Sequence, residues 1–266
     1  MDISILNDLI PDSLNSIKYL KEVDSTNNYA KKLVLEDNDI SLPLLVTTDD
    51  QTQGKGRMGR IWKSEPGQNI AMSILLKAPE SLTGYSSVTL LSALAVVKAI
   101  NDVTSLSCLI KWPNDVIFQS KKVCGILTEM ISMGSANYII VGIGINANST
   151  SFPEEIKDKA TSIKLASEKD VSREELITNT VRYFIDYYNK FVEIKDLSFI
   201  IDEYNSLLIS KDKEVILSSD NIPFPDNPYI SRGIDHNGGL IVESKDKKMI
   251  TVTSGEVSVR GVLGYV

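Results

Sequence analysis

Residues 51–60 read Gln-Thr-Gln-Gly-Lys-Gly-Arg-Met-Gly-Arg, and this stretch restricts the fold and the ligand more than any other part of the chain. Glycines and cations alternate along it: Gly54, Lys55, Gly56, Arg57, Gly59 and Arg60. Glycine lets a backbone approach a ligand closely, and successive amides in such a turn can form a concave anion site. Arginine adds a planar set of donors suited to phosphate or carboxylate. The stretch therefore predicts a loop that binds an anionic small molecule carrying phosphate. A solvated loop without a ligand is the alternative, because glycine and lysine are ordinary loop residues.

The same glycines match the dinucleotide-binding fingerprint Gly-x-Gly-x-x-Gly, which requires a strand before it and a helix after it. A strand is expected over residues 42–48. The residues that follow the loop end in the turn signal Pro66-Gly67. Because no amphipathic helix opens at Gly59, we do not expect a Rossmann fold. A phosphate-binding P-loop is also excluded, because no Gly-Lys-Ser or Gly-Lys-Thr ends the stretch.

The amino-acid composition indicates a globular protein and disfavours membrane and nucleic-acid partners. Its 266 residues are 42% hydrophobic and 24% charged, as in one large domain or two unequal ones. We expect a cytoplasmic protein without a membrane partner, because no apolar run approaches the roughly 20 residues of a membrane span and no signal peptide is visible. The net charge of −7 disfavours an extended nucleic-acid interface. We therefore expect no nucleic-acid partner.

Cysteine and histidine usage excludes several kinds of catalytic site. Cys108 and Cys124 lack metal-ligand spacing and lie in apolar runs, so buried packing is expected for both. His236 is the single histidine, and residues 235–239 read as a hairpin turn. A Ser-His-Asp triad and a two-histidine metal site are therefore not expected. The chemistry must use lysine, arginine, aspartate, asparagine and backbone groups.

Apolar patterning predicts an α+β fold, in which a mixed β-sheet is flanked by helices. Strands are expected at residues 17–23, 42–48, 69–77, 107–112, 116–119, 122–131 and 137–145. Helices are expected at residues 29–36, 88–100, 172–192 and 197–207. Short strands then follow at regular spacing, over residues 213–217, 229–233, 240–244 and 249–253. They predict a small all-β module, and we expect the domain boundary between residues 209 and 210.

A second polar segment, Lys111-Trp112-Pro113-Asn114-Asp115, lies between two apolar strand pieces. Proline interrupts a strand, so Asn114 and Asp115 are expected at a polar corner. An Asn-Asp pair is good turn chemistry. The adjacent amide and carboxylate would equally suit Mg²⁺, a ribose hydroxyl or an attacking amine. The residues leave both interpretations open.

Further along the chain, glycines interrupt strands that are otherwise apolar. Gly125 follows Lys122, and Gly142 and Gly144 precede Asn146. Glycine within a strand often marks a bulge or the close approach of a ligand, although tight packing is the alternative. Near the N-terminus, residues 24–28 open a helix, where hydroxyl side chains would either cap the helix or hold a polar ligand.

Together these segments resemble biotin protein ligases in their order and approximate spacing. The matching segments are residues 25–27, 51 with 54–60, 111–115, 122–127 and 142–146. Residues 231–235 resemble the family's small C-terminal barrel. The resemblance covers nearly the whole chain, and the combination is specific although no single motif is. The DNA-binding domain of the repressor type is not seen, so the chain resembles the monofunctional type.

The resemblance implies a catalytic domain over residues 1–209 and a small SH3-like β-barrel over residues 210–266. It also implies a reaction. Members of the family join biotin to ATP, with Mg²⁺, and form biotinyl-5′-AMP and pyrophosphate. They then transfer biotin to one lysine of a biotin carboxyl carrier protein or domain, usually in acetyl-CoA carboxylase or a related carboxylase. Relatives are often dimers, so a homodimer is expected.

The resemblance also assigns roles to residues. Catalysis would fall to Arg57, Lys122 and Asp115. The biotin-binding residues would be Ser25, Thr26, Asn27, Gln51, Gly54, Lys55, Gly56, Arg57, Lys122, Gly125 and Gly142. The ATP or adenylate would be held by Arg57, Arg60, Trp62, Lys111, Asn114, Asp115 and Asn146.

Several details accompany these roles. Asp115 would hold Mg²⁺ or orient the incoming lysine. Trp62 offers a stacking face for adenine, and the missing Cβ atoms at Gly125 and Gly142 would leave room for the biotin ring. The loop at residues 51–63 would close over the adenylate. Lys55 stands where some relatives have arginine, and lysine lacks the bidentate fork.

Two other functions share parts of this pattern. A lipoate-type protein ligase has the same fold and the same adenylate chemistry, but its pocket must hold a dithiolane ring. The Gly-Lys-Gly-Arg-x-Gly-Arg loop favours biotin. A non-catalytic sensor of biotin or nucleotide is the alternative from another class. A DNA-binding domain would favour such a regulatory protein, and none is seen. A scaffold whose loops have lost activity is a further alternative, and the simultaneous presence of Arg57, Lys122, Asp115 and Asn146 argues against it.

Overall fold

A computed structural model describes residues 1–36, 40–79, 86–219, 223–253 and 258–261. In these residues one mixed sheet of seven strands forms the centre of the larger unit. The strands are β1 (Ser16–Val23), β2 (Leu44–Gln51), β3 (Ile70–Lys77), β4 (Leu109–Lys111), β5 (Asp115–Phe118), β6 (Lys121–Met133) and β7 (Ala136–Ile145). Their order across the sheet is β1-β2-β3-β7-β6-β5-β4. Only β1 and β2 are parallel among these pairs.

Helices cover both faces of this sheet. They are α1 (Ile3–Leu9), α2 (Thr26–Glu36), α3 (Ser86–Thr104), α4 (Ile163–Ser167), α5 (Arg173–Ile194) and α6 (Ile201–Leu207). A parallel strand pair needs a crossover connection, and α2 lies within the connection between β1 and β2. Helix α2 packs on one face, where Ala30 and Val34 meet the apolar residues Val46 and Leu75. Helices α3 and α5 pack over the larger core on the other face.

Helix α3 is apolar almost all round, as its sequence predicted. Of the described helices, it alone is long and apolar enough to cross a membrane by length and composition. However, 72% of its most apolar window is buried inside the protein. Burial of this kind is typical of a core helix, because a helix without a polar face must be covered by protein on all sides.

The remaining strands form a second, antiparallel sheet near the C-terminus. They are β8 (Glu214–Ser218), β9 (Tyr229–Ile234), β10 (Leu240–Glu243), β11 (Met249–Val252) and β12 (Ser258–Gly261), in the order β11-β10-β9-β8-β12. The predicted α+β fold with a small C-terminal, SH3-like β-module is confirmed. The exact boundary at residues 209 and 210 stays a prediction.

The turn between β9 and β10 joins the small sheet to the larger unit. Trp112 Nε1 donates to the carbonyl of Gly238 at 3.0 Å, and Ser87 Oγ donates to the carbonyl of Asn237 at 3.1 Å. The Leu197 amide donates to the carbonyl of His236 at 2.9 Å. His236 therefore belongs to a structural hairpin turn, as its sequence neighbours predicted.

Local structure differs from the predictions at a few elements. The helix predicted over residues 197–207 is confirmed from Ile201 onwards, as α6, and a 3₁₀ turn at Ser198–Ile200 precedes it. The backbone at Ile200 departs from helical geometry with φ of −118°, which separates the two elements. Helices α1 and α4 and strand β12 were not predicted. Helix α1 carried a signal for its start, because the Asp2 carboxylate caps the amides of Ser4 and Ile5.

Asp49, near the end of β2, ties the N-terminus and the start of α5 to the sheet and also bonds the neighbouring strand β1. Its carboxylate accepts hydrogen bonds from Tyr19 Oη at 2.6 Å, Arg173 Nη1 at 2.8 Å and the Met1 amine at 3.1 Å. Burial alone would raise the pKa of this carboxyl. The bonds from Tyr19, Arg173 and Met1 together outweigh burial and hold the pKa below its ordinary value near 3.8.

We expect Asp49→Asn to lower the free energy of unfolding by about 1–3 kcal/mol at pH 7, because it removes charge-assisted bonds. A carboxyl whose pKa is lowered by folding adds stability above its unfolded pKa, and this stability is lost as pH falls through the folded pKa. The difference between the two proteins should therefore shrink below about pH 4. Urea denaturation at pH 7 and pH 3 measures it. Asp50→Asn is the control, because it removes the same charge without touching these three bonds. Equal losses in both variants would contradict the role of Asp49.

Candidate active site

Two cavities meet where α2 begins and the loop after β2 crosses the sheet. The first, here called the inner cavity, lies over β3, β6 and β7 and contains Ser25, Thr26, Asn27, Gln51, Lys55, Gly125 and Gly142 in its lining. The second, here called the cationic cavity, has a volume of about 380 Å³ and includes Arg60, Lys111, Asp115 and Asn146. Both are lined by Gly56, Arg57, Trp62, Asn114 and Lys122. The fold therefore brings all the predicted site residues except Gly54 to these two cavities.

Gly54 serves the shape of the loop instead. A Cβ atom built on Gly54 would lie closer than 3.0 Å to the carbonyl oxygen of Trp62, nearer than real Cβ atoms come. The Trp62 amide donates to the Gly54 carbonyl at 2.8 Å, and the Gly56 amide donates to the Arg60 carbonyl at 2.8 Å. Glycine at position 54 thus lets the two ends of the loop meet.

The loop contains one 3₁₀ turn, Arg57–Gly59, where the dinucleotide fingerprint would require a long helix. Gly59 has φ of +70°, which glycine adopts without strain. The side chains of Met58 and Ile61 are each 71% exposed. The prediction that no amphipathic helix opens at Gly59 is confirmed.

A polar, hydrogen-bonded wall closes the inner cavity on the side of α2. Ser25, Thr26 and Asn27 are almost fully buried. The Thr26 amide donates to Gln51 Oε1 at 2.8 Å, which fixes the first turn of α2 against the end of β2. Ser73 on β3 lies within hydrogen-bond distance of both Thr26 and Asn27. Ser73 was not predicted, because a single serine in an apolar strand forms no pattern.

The floor of the inner cavity is a patch of sheet without side chains. Gly125 on β6 pairs directly with Gly144 on β7, and Gly142 lies two residues before Gly144 on β7. A Cβ at Gly144 would lie 2.6 Å from Trp62 Cε2, and one at Gly125 would lie 3.1 Å from Trp62 Cζ3. A Cβ at Gly142 would collide with the Asn27 amide. In this structure the side chains of Trp62, Lys122 and Asn27 occupy the space over Gly125 and Gly142, and room for a ligand ring there stays a prediction.

Trp62 lies at the junction of the two cavities. Its indole covers Gly125 and Gly144, and Lys122 Nζ lies 5.5 Å from the ring centroid. Its Nε1 atom is buried and has no hydrogen-bond partner within the described ranges. An unpaired buried donor is costly, so this N–H is available to a ligand.

Two cations meet polar partners at the same junction. Arg57 Nη1 donates to Asn114 Oδ1 at 2.8 Å, and Lys122 Nζ lies 2.7 Å from Asp115 Oδ1. Asn114 Nδ2 in turn donates to the Ile126 carbonyl at 3.1 Å. The corner that follows Pro113 therefore holds the two cations in place, although it lies more than fifty residues from Arg57 in the sequence.

The cationic cavity concentrates positive charge in a chain whose net charge is −7. Its lining contains the cations Arg57, Arg60, Lys63, Lys111, Lys122, Lys159 and Arg260. Asp115 is the one carboxylate among the described residues that line it. Burial, followed by the positive charges of Lys122, Arg260 and Arg60, lowers the pKa of Lys111, although Asp115 opposes this shift. Such a cavity attracts a ligand with several negative charges.

Three of these cations were not predicted. Lys63 and Lys159 lie in irregular segments, and Arg260 lies on β12 of the small sheet. Isolated lysines and arginines are ordinary surface residues, so the sequence contained no signal that would single them out. Only the tertiary structure brings them to one cavity.

The Asn146 side chain makes structural hydrogen bonds that join the end of β7 to β6 and to the segment before α4. Its Nδ2 atom donates to the carbonyl of Thr161 at 3.1 Å and to that of Lys122 at 3.4 Å. A contact of Asn146 with a nucleotide stays a prediction. Within the part of the chain that the structure describes, no three His, Cys, Asp or Glu side chains group as metal ligands. These residues therefore do not form a dedicated all-protein metal site.

Comparison with known proteins identifies relatives of both units. The pattern of the biotin/lipoate A/B protein ligase family matches residues 19–146, and that of the biotin protein ligase C-terminal domain matches residues 221–260. The bifunctional ligase/repressor BirA of Bacillus spizizenii is 38% identical over 177 residues, which are 65% of this chain and 54% of the relative. This match thus spans about half of the relative's length. A biotin–[acetyl-CoA-carboxylase] ligase of Paracoccus denitrificans is 34% identical over 48% of this chain and 52% of the relative.

A solved structure matches over nearly the whole chain. The biotin protein ligase from Aquifex aeolicus, in complex with biotin and ATP, superposes with a TM-score of 0.80. The two sequences are 32% identical, and the match covers 92% of this chain and 99% of the Aquifex chain.

We expect Gly144→Ala to move Trp62 away from the sheet, because the added methyl group would overlap its indole. The fluorescence emission of the protein should shift to longer wavelength, because the emission of an indole shifts in this direction when it becomes exposed to water. The measurement is the emission spectrum excited at the tryptophan band. Gly56→Ala is the matched control, because its nearest neighbour would lie at 3.5 Å, an ordinary contact. An unchanged spectrum for Gly144→Ala would contradict the packing described here.

Proposed function

Because the chain belongs to the biotin protein ligase family, we propose that it is an ATP-dependent biotin protein ligase. It joins biotin to ATP, which yields biotinyl-5′-AMP and pyrophosphate, and then transfers biotin to a lysine of a carrier domain. The family resemblance predicted from the sequence is confirmed by the Aquifex relative, which is matched over 99% of its length.

One observation carries the proposal: two cavities of different character share a wall. The inner cavity offers hydroxyl and amide groups over an apolar floor, which suits the ureido ring and the aliphatic chain of biotin. The cationic cavity offers a concentration of positive charge, which suits a triphosphate. The shared wall contains Arg57 and Lys122, so the reacting ends of both substrates would meet between these two cations.

In the first step, a carboxylate oxygen of biotin forms a bond with the α-phosphorus of ATP, and the bond from this phosphorus to pyrophosphate breaks. Both reactants are anions, so positive charge must offset their repulsion and stabilise the charge on the phosphoryl oxygens. Arg57 and Lys122 are placed for this task. Their partners Asn114 and Asp115 hold them at the junction before the substrates arrive.

Mg²⁺ would enter with the triphosphate. The ion usually binds through one or two carboxylates together with substrate phosphates, and Asp115 is the lining carboxylate that fits this description. When bound, the metal neutralises phosphate charge. In this assignment Asp115 would hold the ion, and its partner Lys122 would face the α-phosphate.

In the second step, the amine of the carrier lysine attacks the carbonyl carbon of the mixed anhydride, the bond from this carbon to the phosphate oxygen breaks and AMP leaves, while the amine gives up a proton that Asp115 would accept. Asp115 would orient this amine. Arg60, Lys111, Asn146 and the indole of Trp62 would hold the adenylate. The loop at residues 51–63 would close over the anhydride and exclude water, which otherwise hydrolyses it.

The carrier we propose is a biotin carboxyl carrier protein or domain of acetyl-CoA carboxylase or a related carboxylase. The name of the Paracoccus relative supports this choice. We also propose a cytoplasmic location and a homodimer, as in the sequence-based expectation. The net charge of −7 supports a protein without a nucleic-acid partner.

The function is tested by ATP–pyrophosphate exchange. We expect exchange that depends on biotin, because adenylation is reversible and returns labelled pyrophosphate to ATP. With lipoate in place of biotin, the exchange rate should not exceed the background rate measured without either substrate. A dithiolane ring cannot make the hydrogen bonds that the polar wall of the inner cavity offers. Exchange with lipoate alone would assign a lipoate-type ligase. Tight biotin binding without any exchange would assign a sensor.

We expect Lys122→Ala to lower the rate of biotin-dependent exchange by about 10²- to 10³-fold, because it removes a preorganised charge at the reacting phosphate. The measurement is the initial rate at saturating biotin and ATP. Lys121→Ala is the matched control: it removes the adjacent lysine, which reaches the Lys157 carbonyl outside both cavities. A similar loss in both variants, or none in Lys122→Ala, would remove Lys122 from the reaction.

A further inference from the structure

The loop that borders both cavities contains a short antiparallel ribbon of residues 54–62, here called the ribbon. Two of its cations reach asparagines in different parts of the fold. Lys55 Nζ donates to Asn28 Oδ1 on α2 at 2.9 Å. Arg57 Nη1 donates to Asn114 Oδ1, in the corner before β5, at 2.8 Å. Side chains therefore attach the ribbon to α2 on one flank and to the corner on the other.

The orientation of the Asn28 amide is fixed from both sides. Its Nδ2 atom donates to Asp24 Oδ2, and an ionised carboxylate can only accept hydrogen bonds. The Lys55 ammonium can only donate, so it requires an oxygen on the other side of the amide. Both charged groups thus demand the same orientation, in which Asn28 Oδ1 faces the ribbon. The charges at the two ends also strengthen the two bonds.

The attachment on the other flank is built in the same way. Asn114 Nδ2 donates to the Ile126 carbonyl at 3.1 Å, so its Oδ1 atom faces Arg57. In both places the NH₂ group of a neutral amide is already engaged, and the amide presents its oxygen to a cation of the ribbon. The site described above contains only one of these two asparagines, because Asn28 does not carry a predicted role.

The backbone of Asp24 fixes the base of the same loop. The Gln53 amide donates to the Asp24 carbonyl at 2.8 Å, immediately before the ribbon begins. A ribbon that lifts away from α2 can keep this backbone bond, because the bond lies at the base. The same movement must break the bond between Lys55 and Asn28. On this flank, the side-chain bond therefore opposes opening of the ribbon.

The position of Lys55 suits an attachment better than a contact with the triphosphate. Lys55 lines the inner cavity and is not among the described residues that line the cationic cavity, whereas Arg57 belongs to both. Its ammonium is directed to Asn28. Among the described residues, Asn28 and Asp24 lie outside the lining of both cavities. The charge of Lys55 is therefore used to hold the ribbon.

We propose that Asn28, oriented by Asp24, is a positioning residue that holds the ribbon over the bound adenylate through Lys55. This inference rests on the proposed function and deepens it, because it assigns the retention of biotinyl-5′-AMP to a residue outside both cavities. The reactive intermediate must stay bound until the carrier lysine arrives, and opening of the ribbon lets it leave. Asn28 slows this opening without touching the reacting atoms.

Variants of the two partners separate this role from any direct contact between Lys55 and the ligand. Asn28→Leu removes the acceptor, leaves every charge in place and keeps a side chain of similar size. Lys55→Met removes the donor, and Lys55→Arg keeps both the donor and the charge. If Lys55 acts through Asn28, the double variant Asn28→Leu with Lys55→Met should release the adenylate no faster than the faster single variant.

The experiment loads each protein with labelled biotin and ATP, removes the free ligands, and adds an excess of unlabelled biotin and ATP. The label that remains bound is then followed over time. We expect Asn28→Leu and Lys55→Met to lose it about 3- to 10-fold faster than the unchanged protein, the scale of one partly exposed hydrogen bond. Lys55→Arg should stay within about 2-fold of the unchanged protein, because arginine still donates to Asn28.

Two controls separate retention from chemistry and from a general change of charge. The single-turnover rate of adenylation at saturating biotin and ATP should change by less than about 2-fold in Asn28→Leu, because Arg57 and Lys122 are untouched. Lys32→Met removes an exposed lysine of the same helix, whose partner is Glu36. This variant should release the adenylate at the rate of the unchanged protein.

Three results would overturn the inference. Unchanged release in Asn28→Leu would remove Asn28 from retention, and faster release in Lys55→Met alone would assign Lys55 to the ligand. Additive effects in the double variant would show that the two residues act separately. A fall in the adenylation rate of Asn28→Leu as large as its gain in release would mean that Asn28 only supports the fold. Failure of the unchanged protein to form any adenylate would instead overturn the proposed function, so the two failures are distinguishable.

Discussion

A patch of sheet without side chains is the constraint on which the rest of the site depends. Gly125 and Gly144 face each other across β6 and β7, and Gly142 lies beside them. Their missing Cβ atoms let Asn27 from α2 and Trp62 from the loop lie directly on the backbone of the sheet. With any larger residue there, both side chains would be pushed outwards, since real Cβ atoms do not approach so closely. The wall and the floor of the inner cavity thus both depend on the absence of side chains at these three glycines.

Above this patch, the site separates two tasks by charge. On the side of α2, the inner cavity is lined by neutral groups whose hydrogen bonds are already made, so little reorganisation of that wall is needed when a ligand enters. The cationic cavity gathers lysines and arginines that repel one another, and this repulsion adds to burial, the larger cause, in lowering the pKa of Lys111. Holding like charges together costs stability, and a polyanionic ligand removes that cost. A cationic cavity of this kind in a chain of net charge −7 suits a polyanionic ligand.

Both sheets contribute to the cationic cavity. Ser258, Val259 and Arg260 on β12 line it from the small sheet, and the turn between β9 and β10 fixes that sheet by accepting a bond from Trp112. Trp112 immediately precedes the corner that holds Arg57 and Lys122. The position of the small sheet and the position of the two cations are therefore coupled through one short segment.

The sequence alone determined the elements and the types of residue at the site. Periodicity predicted the buried helix α3 and every described strand except β12, and the spacing of Gly54 to Arg60 predicted a loop where a Rossmann fold needs a helix. These features are local, so each can be recognised within a short window of sequence. Motif order was sufficient to predict the family.

The tertiary structure alone decided which of these residues meet. Glu129 reaches Asn27 across 102 positions of sequence, and Trp112 reaches Gly238 across 126. Such contacts depend on strand order and register, which no local pattern encodes. For the same reason, the sequence placed Gly142 in a strand but gave no sign that Asn27 lies over it. It likewise placed Arg260 near the C-terminus without any sign of the cavity that it lines.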